Sequence, residues 1–204
     1  MSQRKLLLAT NNRGKLDELR VLFAGIDREI VSPADVGLQL DVAETGHTYA
    51  INARLKARAF ASASGLLTLA DDSGLEVDAL SLAPGVHSSR WAGPMATDAQ
   101  KIAYLLSQMT AVPPEQRSAC FCCVMAIAAP KARKIRLSSG SWQGFITMEP
   151  HGIDGFGYDP VFYLHKFGMT AAEIPAWIKN HISHRARAAA GARRILLEEH
   201  QQTP

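Results

Sequence analysis

Two adjacent aspartates, Asp71 and Asp72, directly follow the apolar run LLTLA. They belong to the stretch LADDSGLEVDAL, which begins with the last two residues of that run. We predict that the run is a buried strand and that the two carboxylates stand at its end. Adjacent negative charges repel one another and lose hydration on burial, so a fold must offset them with a divalent cation or a hydrogen-bonding loop. Mg²⁺ is the hard cation that prefers carboxylate and phosphate oxygens. The pattern indicates a Mg²⁺ site, with a turn capped by the two aspartates as the alternative.

A second polar loop joins the predicted strand KLLLAT to the helical pattern LDELRVLFAG. Free N–H groups and the helix dipole favour an anion at such a helix N-terminus. The loop is not a Walker A motif, because the first glycine of GxxxxGK is absent and a leucine follows the lysine. We predict a phosphate pocket here. Its residues are Thr10, Asn11, Asn12, Arg13, Gly14 and Lys15.

Two further charged residues could join these loops. Glu44 precedes a Thr-Gly pair and is a possible second carboxylate ligand, although a solvated loop charge is the alternative. Asn52 and Lys56 are four residues apart and therefore share one face of a predicted helix. Lys56 could reach a phosphate or the nearby carboxylates, and a solvated surface position is its alternative.

The segment FGYDP offers aromatic faces at Phe156 and Tyr158, and Gly155 and Gly157 allow a flat ring to approach the backbone closely. We predict that this loop holds a base, with a structural turn as the alternative.

The segment KNHISHR brings cations and a hydrogen-bond donor to a predicted helix entrance through Lys179, His184 and Arg185. These groups suit phosphate oxygens and a base edge. We expect His181 to be an exposed helix residue. The arginines that follow are expected to form a solvated face; they are Arg187, Arg193 and Arg194.

The elements that carry these loops follow a strand, loop, helix pattern that occurs twice before Asp72. A right-handed crossover would put both strands in one sheet, where a parallel arrangement would place both polar loops at the carboxyl ends of the strands. Thr97 and Gln100 form a capping box for a helix that runs to about Met109. SACFCCVMAIAA, KIRLSS and SWQGFIT then read as three strands of an antiparallel portion, and the last helical region is interrupted near Ser183. The pattern predicts an α/β domain whose mixed sheet is flanked by helices and has a central cleft between two lobes.

The composition limits the classes of partner that the chain can bind. A chain of 204 residues predicts one domain over 1–204, and a net charge of +3 is too small for a duplex-binding footprint, so we expect no nucleic-acid partner. The cysteines Cys120, Cys122 and Cys123 lie in one apolar run, which favours a core strand over a metal site. No secretory or membrane-spanning segment is present in the sequence, so we expect a cytoplasmic protein without a membrane partner.

Read in order, these motifs resemble the inosine triphosphate pyrophosphatase family over essentially the whole chain. The motifs are TNNRGK, ETGHTYAINARLKA, LADDSGLEVDAL, PGVHSSRWAG, FGYDPVFY and KNHISHRARA. The resemblance implies an elongated mixed α/β fold, a homodimer, and Mg²⁺-dependent hydrolysis of ITP, dITP and XTP to the monophosphate and pyrophosphate. Such an enzyme removes deaminated purines from the nucleotide pool.

The resemblance also implies a role for each matching residue. Asp72 is the proton acceptor and, with Glu44, a Mg²⁺ ligand, and Asp71 is a supporting acid. Thr10, Asn12, Lys15, Ser73 and Lys56 line the phosphates. Phe156 stacks on the purine, Gly157, Tyr158 and Asp159 complete its loop, and Lys179, His184 and Arg185 contact the base and phosphates.

Three positions depart from the family pattern. Ala43 stands where an acid often precedes the ETG glutamate, which weakens the metal assignment of Glu44. His87 and Trp91 differ from the expected aromatic pattern. Two other functions are compatible with the same loops: a Maf-like pyrophosphatase with another base preference, and a nucleotide-binding regulator without hydrolysis.

Overall fold

A computed structural model describes residues 4–131 and 133–201 of the chain. Within these residues the α-helices are α1 (Arg13–Leu22), α2 (Tyr49–Ser64), α3 (Asp98–Gln108), α4 (Ala176–Ile182) and α5 (His184–Gln201). The strands are β1 (Lys5–Leu8), β2 (Glu29–Val31), β3 (Leu67–Val77), β4 (Ser118–Ala128), β5 (Arg136–Ile146), β6 (Phe162–Leu164) and β7 (Met169–Thr170).

The strands form one mixed sheet in the order β2-β1-β3-β4-β5-β6-β7. β1 pairs in parallel with β2 and with β3, and Leu7 lies opposite Thr68 in the second pairing. β5 and β6 are antiparallel, as are β6 and β7. The parallel pairing of β1 with β3 confirms the prediction that the strand before the α1 loop and the strand that leads to Asp71 belong to one sheet.

Several helix ends are fixed by local caps, although α1 begins at Arg13, inside the loop that was predicted to precede it. The Asn12 side chain caps α1 by accepting from the Lys15 N–H at 2.9 Å, so Arg13 and Gly14 are helical rather than part of a turn. Thr48 caps α2, which ends at Gly65 with a φ of +69° that favours glycine. The capping box predicted for Thr97 and Gln100 is present at the start of α3.

Two strand predictions are wrong. Asp71 and Asp72 do not stand at the end of a strand but in the middle of the 11-residue β3, because Leu75 and Val77 continue the buried pattern beyond them. KIRLSS and SWQGFIT do not form two strands, since β5 runs without a break through Gly140. This stretch therefore contains two strands of 11 residues, β4 and β5, where the sequence predicts three shorter ones.

The described part of the chain divides into two compact units. Of the described residues, the first unit comprises 4–72, 123–131, 133–140 and 185–201, and the second comprises Ser73–Cys122 and Ser141–His184. In the first unit one cluster packs Leu6, Leu8 and Leu69 against the alanine face of α5, and another packs α2 through Ala53 and Phe60. In the second unit Leu75, Leu105 and Phe162 belong to one cluster. Each unit therefore has a core of its own.

Two smaller predictions are corrected. Only Cys123 is a core cysteine, because Cys120 and Cys122 alternate with buried residues on the partly exposed face of β4. Arg193 is not part of a solvated face: its guanidinium donates to the carbonyls of Leu22 and Ala24 at the end of α1. In the residues described here, no helix is long and apolar enough to cross a membrane.

Candidate functional site

Asp72 is held by two donors from α2. The Asn52 side-chain amide donates to Oδ2 at 3.2 Å, and Lys56 Nζ donates to Oδ1 at 3.2 Å. Lys56 Nζ also contacts Glu44 Oε1 at 2.6 Å. Lys56 and Asn52 reach one carboxylate together because a spacing of four residues puts them on the same helix face. The prediction that Lys56 reaches the carboxylates is confirmed.

The loop before α2 fixes the orientation of Asn52. The Gly46 N–H donates to Asn52 Oδ1 at 2.8 Å, which leaves the amide nitrogen of Asn52 to face Asp72. A Cβ on Gly46 would lie 2.7 Å from that same oxygen and 2.5 Å from Ile51, so a side chain does not fit at this position. The ETG segment thus positions Asp72 through Asn52, which is fully buried.

Asp71 belongs to a different set of ion pairs. Its Oδ2 lies 3.1 Å from Lys15 Nζ and 3.5 Å from Arg185 Nε. Arg185 also contacts Glu18 Oε2 at 2.5 Å. Lys15 from α1 and Arg185 from α5 are therefore brought to one carboxylate, although they are far apart in the sequence.

The two neighbouring carboxylates titrate differently. Burial acts to raise the pKa of Asp71, but the cations of Lys15, Arg185 and Lys56 outweigh it and hold that pKa well below its usual range. Burial also raises the pKa of Asp72, and Lys56 and Lys15 only partly oppose it, so this pKa stays above its usual value. Asp71 is therefore a permanent anion that holds two cations, whereas Asp72 has the raised pKa that suits a proton acceptor.

Asp72 and Glu44 fit a hard cation. Both carboxylates already share the positive charge of Lys56 Nζ, at 3.2 and 2.6 Å, so they converge on one point. Among residues 4–131 and 133–198, no three His, Cys, Asp or Glu side chains are close enough to hold a metal by themselves. Mg²⁺ is commonly bound by one or two carboxylates, with water and substrate phosphates as its other ligands.

The predicted phosphate loop surrounds the start of α1. Asn12 is occupied as the helix cap, the Asn12 N–H donates to Thr10 Oγ1 at 3.2 Å, and the Asn11 amide donates to the Leu40 carbonyl at 3.1 Å. Asn11, Asn12 and Arg13 are exposed, whereas Lys15 points to Asp71. The arrangement leaves an exposed helix N-terminus beside a cation, as an anion site requires.

The second unit contains the other predicted group, centred on Asp159. The buried Asp159 Oδ2 accepts from the Phe156 N–H at 2.9 Å and from Lys179 Nζ at 2.6 Å. Lys179 Nζ lies 5.2 Å from the centre of the Phe156 ring. Gly155 has a φ of +75°, and a Cβ there would lie 2.2 Å from Asp159 Oδ2. FGYDP and KNHISHR therefore meet through a buried ion pair.

Two further contacts fix the rest of this loop. Asp98 Oδ2, in the first turn of α3, accepts from the Gly157 N–H at 2.7 Å. The Tyr158 hydroxyl donates to the Ser88 carbonyl at 3.0 Å, and burial raises the pKa of that hydroxyl. The Tyr158 side chain is buried, so it supports the loop, and Phe156 is the more exposed of the two aromatic residues.

His184 is a buried member of an aromatic stack in the second unit. Its ring lies 4.7 Å from the Phe121 ring with an interplanar angle of 12°, and Trp142 stacks at 6.4 Å. The imidazole plane is thus fixed by two aromatic rings.

The structure therefore gathers the predicted residues into two groups. Asp72, Asp71, Glu44, Lys56, Lys15 and Arg185 meet in the first unit; Phe156, Gly157, Tyr158, Asp159 and Lys179 meet in the second, which also contains His184 and Ser73. Three supporting residues were not predicted as site residues: Asn52, Glu18 and Asp98. Only Asn52 had a sequence signal, its spacing from Lys56.

Comparisons with known proteins show which sequences and folds this chain is similar to. A sequence model of the Ham1 family matches residues 6–195. A protein of Xanthomonas oryzae named dITP/XTP pyrophosphatase is 47% identical over 91% of this chain and 93% of its own. A Listeria monocytogenes protein of the same name is 44% identical over 95% of each chain. The solved structure of a HAM1 protein from Coxiella burnetii has a TM-score of 0.86, 41% identity, and covers 96% of this chain and 99% of its own.

Proposed function

Because this chain belongs to the Ham1 family, we propose that it hydrolyses ITP, dITP and XTP to the nucleoside monophosphate and pyrophosphate. The observation that carries the proposal is the Asp72 carboxylate, fixed by Asn52 and Lys56 and raised in pKa by burial. The names of the relatives support the substrate class, since those proteins are called dITP/XTP pyrophosphatases. The whole chain 1–204 is proposed to act as one enzyme domain.

In the proposed reaction Asp72 accepts a proton from the water that attacks the α-phosphorus. The raised pKa of Asp72 brings its basicity closer to that of a working general base. Lys15, Lys56 and Arg185 stabilise the negative charge that grows on the phosphates, and Asp71 holds two of these cations in place. Pyrophosphate leaves, and the nucleoside monophosphate remains as the second product.

Mg²⁺ is the proposed cofactor, and Asp72 and Glu44 are the residues that would hold it. When bound, it would neutralise phosphate charge and polarise the phosphoryl oxygens. Because Ala43 provides no carboxylate beside Glu44, the protein contributes few ligands, and the triphosphate itself is expected to contribute others.

Base recognition is proposed for residues of the FGYDP and KNHISHR segments. Phe156 would stack on the purine, and the cations and donors of Lys179, His184 and Arg185 would face its polar edge and the phosphates. A donor aimed at O6 gains a hydrogen bond from hypoxanthine or xanthine. The 6-amino group of adenine would leave that donor unpaired, which costs binding energy.

A nucleotide panel tests this function. The purified chain is incubated with Mg²⁺ and ITP, dITP, XTP, ATP, GTP or modified pyrimidine triphosphates, and pyrophosphate release is measured. We expect kcat/KM for ITP and XTP to exceed that for ATP by at least about 100-fold. A preference for a pyrimidine triphosphate would instead favour a Maf-like enzyme. Tight binding without pyrophosphate release would favour a regulator.

The family resemblance also supports a homodimer and a cytoplasmic location. Light scattering coupled to gel filtration tests the first, since a monomer at working concentrations would contradict it. Cell fractionation tests the second.

A further inference from the structure

Cys120 and Cys122 form a close thiol pair outside the proposed active site. They are two residues apart in β4 and therefore point to the same face of the sheet, which is partly exposed. Their Sγ atoms are 3.7 Å apart, and Cys122 Sγ lies 3.5 Å from Glu76 Oε2. The proposed hydrolysis uses neither thiol.

The three cysteines differ in reactivity. The hydrogen bond from Cys122, opposed by burial, lowers the pKa of Cys120 to about 7. The same bond and burial raise the pKa of Cys122. Burial raises the pKa of Cys123 to about 12, so it is an inert thiol in the same strand. The thiolate is the reactive form of cysteine, so Cys120 is the nucleophile of the three.

We propose that Cys120 and Cys122 are a peroxide-reactive dithiol, in which Cys120 is oxidised first and Cys122 then closes a reversible disulfide. The proposal combines an ionised, partly exposed thiol with a second thiol at van der Waals distance. These are the features of a cysteine that is oxidised next to a resolving cysteine.

The chemistry balances with hydrogen peroxide as the oxidant. The Cys120 thiolate attacks one peroxide oxygen, the O–O bond breaks, and hydroxide leaves, which gives Cys120 sulfenic acid. The Cys122 sulfur then attacks the Cys120 sulfur, the S–O bond breaks, and the released hydroxide takes the Cys122 proton to become water. In total two thiols and one peroxide give one disulfide and two waters, a two-electron oxidation of the protein.

The surroundings favour a small neutral oxidant and an easily reduced product. The carboxylate of Glu76 contacts Cys122, and Asp78 follows directly after the end of β3. Both negative charges act on the thiol pair, so disulfide oxidants that carry negative charge are repelled. Alternate Cα atoms of a strand are about 6.6 Å apart, near the upper limit of about 6.8 Å for a disulfide. Closing the bond therefore requires the strand to bend, and the resulting strain makes the bond labile to a dithiol reductant.

The residue between the two thiols links this pair to the base group. Phe121 points to the other face of β4, where its ring stacks on His184 at 4.7 Å. Closing the disulfide bends the strand at Phe121 and thereby shifts the surface that holds His184. This coupling rests on the proposed function, and it predicts that oxidation raises KM more than it lowers kcat.

Thiol counting tests the dithiol without reference to activity. The reduced full chain is treated with hydrogen peroxide, denatured, alkylated with iodoacetamide and weighed by mass spectrometry. We expect three alkylated thiols before treatment, one after it, and three again after dithiothreitol. Cys122→Ser should accumulate a sulfenic acid that dimedone traps on Cys120, and Cys123→Ser should lose two thiols just as the parent chain does.

The rate gives a second readout. At pH 7 a thiol of pKa about 7 is half ionised, against about 3% for an ordinary thiol, although its nucleophilicity is about fivefold lower. Cys120→Ser should therefore oxidise at least about threefold more slowly than the parent chain. Retention of three alkylatable thiols after peroxide, or an undiminished rate in Cys120→Ser, would overturn the dithiol. An unchanged KM for ITP in fully oxidised enzyme would overturn only the coupling to His184. Absence of any ITP hydrolysis would count against the proposed function and not against the dithiol.

Discussion

Replacing Asp71 by Asn should lower the free energy of unfolding by several kcal/mol, because Asp71 holds buried ion pairs with Lys15 and Arg185. Asp71 is 1% exposed and carries the buried ends of Lys15 and Arg185, at 3.1 and 3.5 Å. The asparagine has nearly the same shape but no charge. The change therefore isolates the electrostatic part of the interaction.

The expected magnitude follows from these distances. At an effective dielectric constant of about 20, each attraction is worth about 5 kcal/mol before desolvation is counted. Removing one member of a buried ion pair costs about 3–5 kcal/mol, because the remaining charges stay buried without full compensation. In the variant Glu18 still neutralises Arg185, so the cost arises mainly from Lys15, which loses its carboxylate partner. For a chain of this size, the loss corresponds to a melting temperature lower by about 6–20 °C.

Urea unfolding in EDTA, followed by both fluorescence and circular dichroism, measures this loss. Asp35→Asn is the matched control, because Asp35 pairs with Arg20 at 3.1 Å on the surface, and it should cost about 1 kcal/mol or less. The pH dependence gives an independent check. Since the folded-state pKa of Asp71 is lowered, its contribution is present above the unfolded pKa of about 3.8 and is lost as the pH falls through the folded pKa. Asp71→Asn should therefore lose less stability in acid than the parent chain. An unfolding free energy for Asp71→Asn within about 1 kcal/mol of the parent would refute this reasoning.

The other predictions concern activity. Lys56→Met should lower kcat/KM for ITP about 100-fold or more, because it removes a cation that is proposed to contact the phosphates and a hydrogen-bond donor to Asp72. A higher KM with an unchanged kcat would argue for a binding role only. Phe156→Ala should raise KM about 10- to 100-fold with little change in stability, since a base stack is worth about 1–3 kcal/mol. Asp98→Ala should raise KM about 3- to 10-fold through the lost bond to the Gly157 N–H. Lys101→Ala removes only the ion-pair partner of Asp98 on the same helix and should not raise KM; equal effects would deny Asp98 a positioning role.

Local signals predicted much of the fold. The capping box of Thr97 and Gln100 and the interruption of the last helical region near Ser183 depend on residues that are close together in the chain, so the sequence alone predicts them. The length of β3 could not be predicted in this way. Two adjacent aspartates argue against a strand interior unless Lys15, Lys56 and Arg185 are known to neutralise them, and these cations come from three other elements.

The candidate site shows the same division. The ordered motifs predicted the family, which the Ham1 match over residues 6–195 confirms. They named Lys56 and Asp72 but not the partners of Arg185 or of the Gly157 N–H. Glu18 and Asp98 are ordinary acids in first or second helical turns, and only tertiary structure shows that each contacts a predicted residue. The cysteines were predicted to be core residues, but Cys120 and Cys122 lie on the partly exposed face of β4. An apolar run does not show which face of a strand is exposed.

The most direct test of the central claim is product analysis by phosphorus NMR with dITP and Mg²⁺, comparing the parent chain, Asp72→Asn and the exposed control Asp17→Asn. We predict that the parent and Asp17→Asn release pyrophosphate and the monophosphate, and that Asp72→Asn is slower by about 1,000-fold or more with an unchanged circular dichroism spectrum. Release of orthophosphate and the diphosphate, or full activity in Asp72→Asn, would contradict the account.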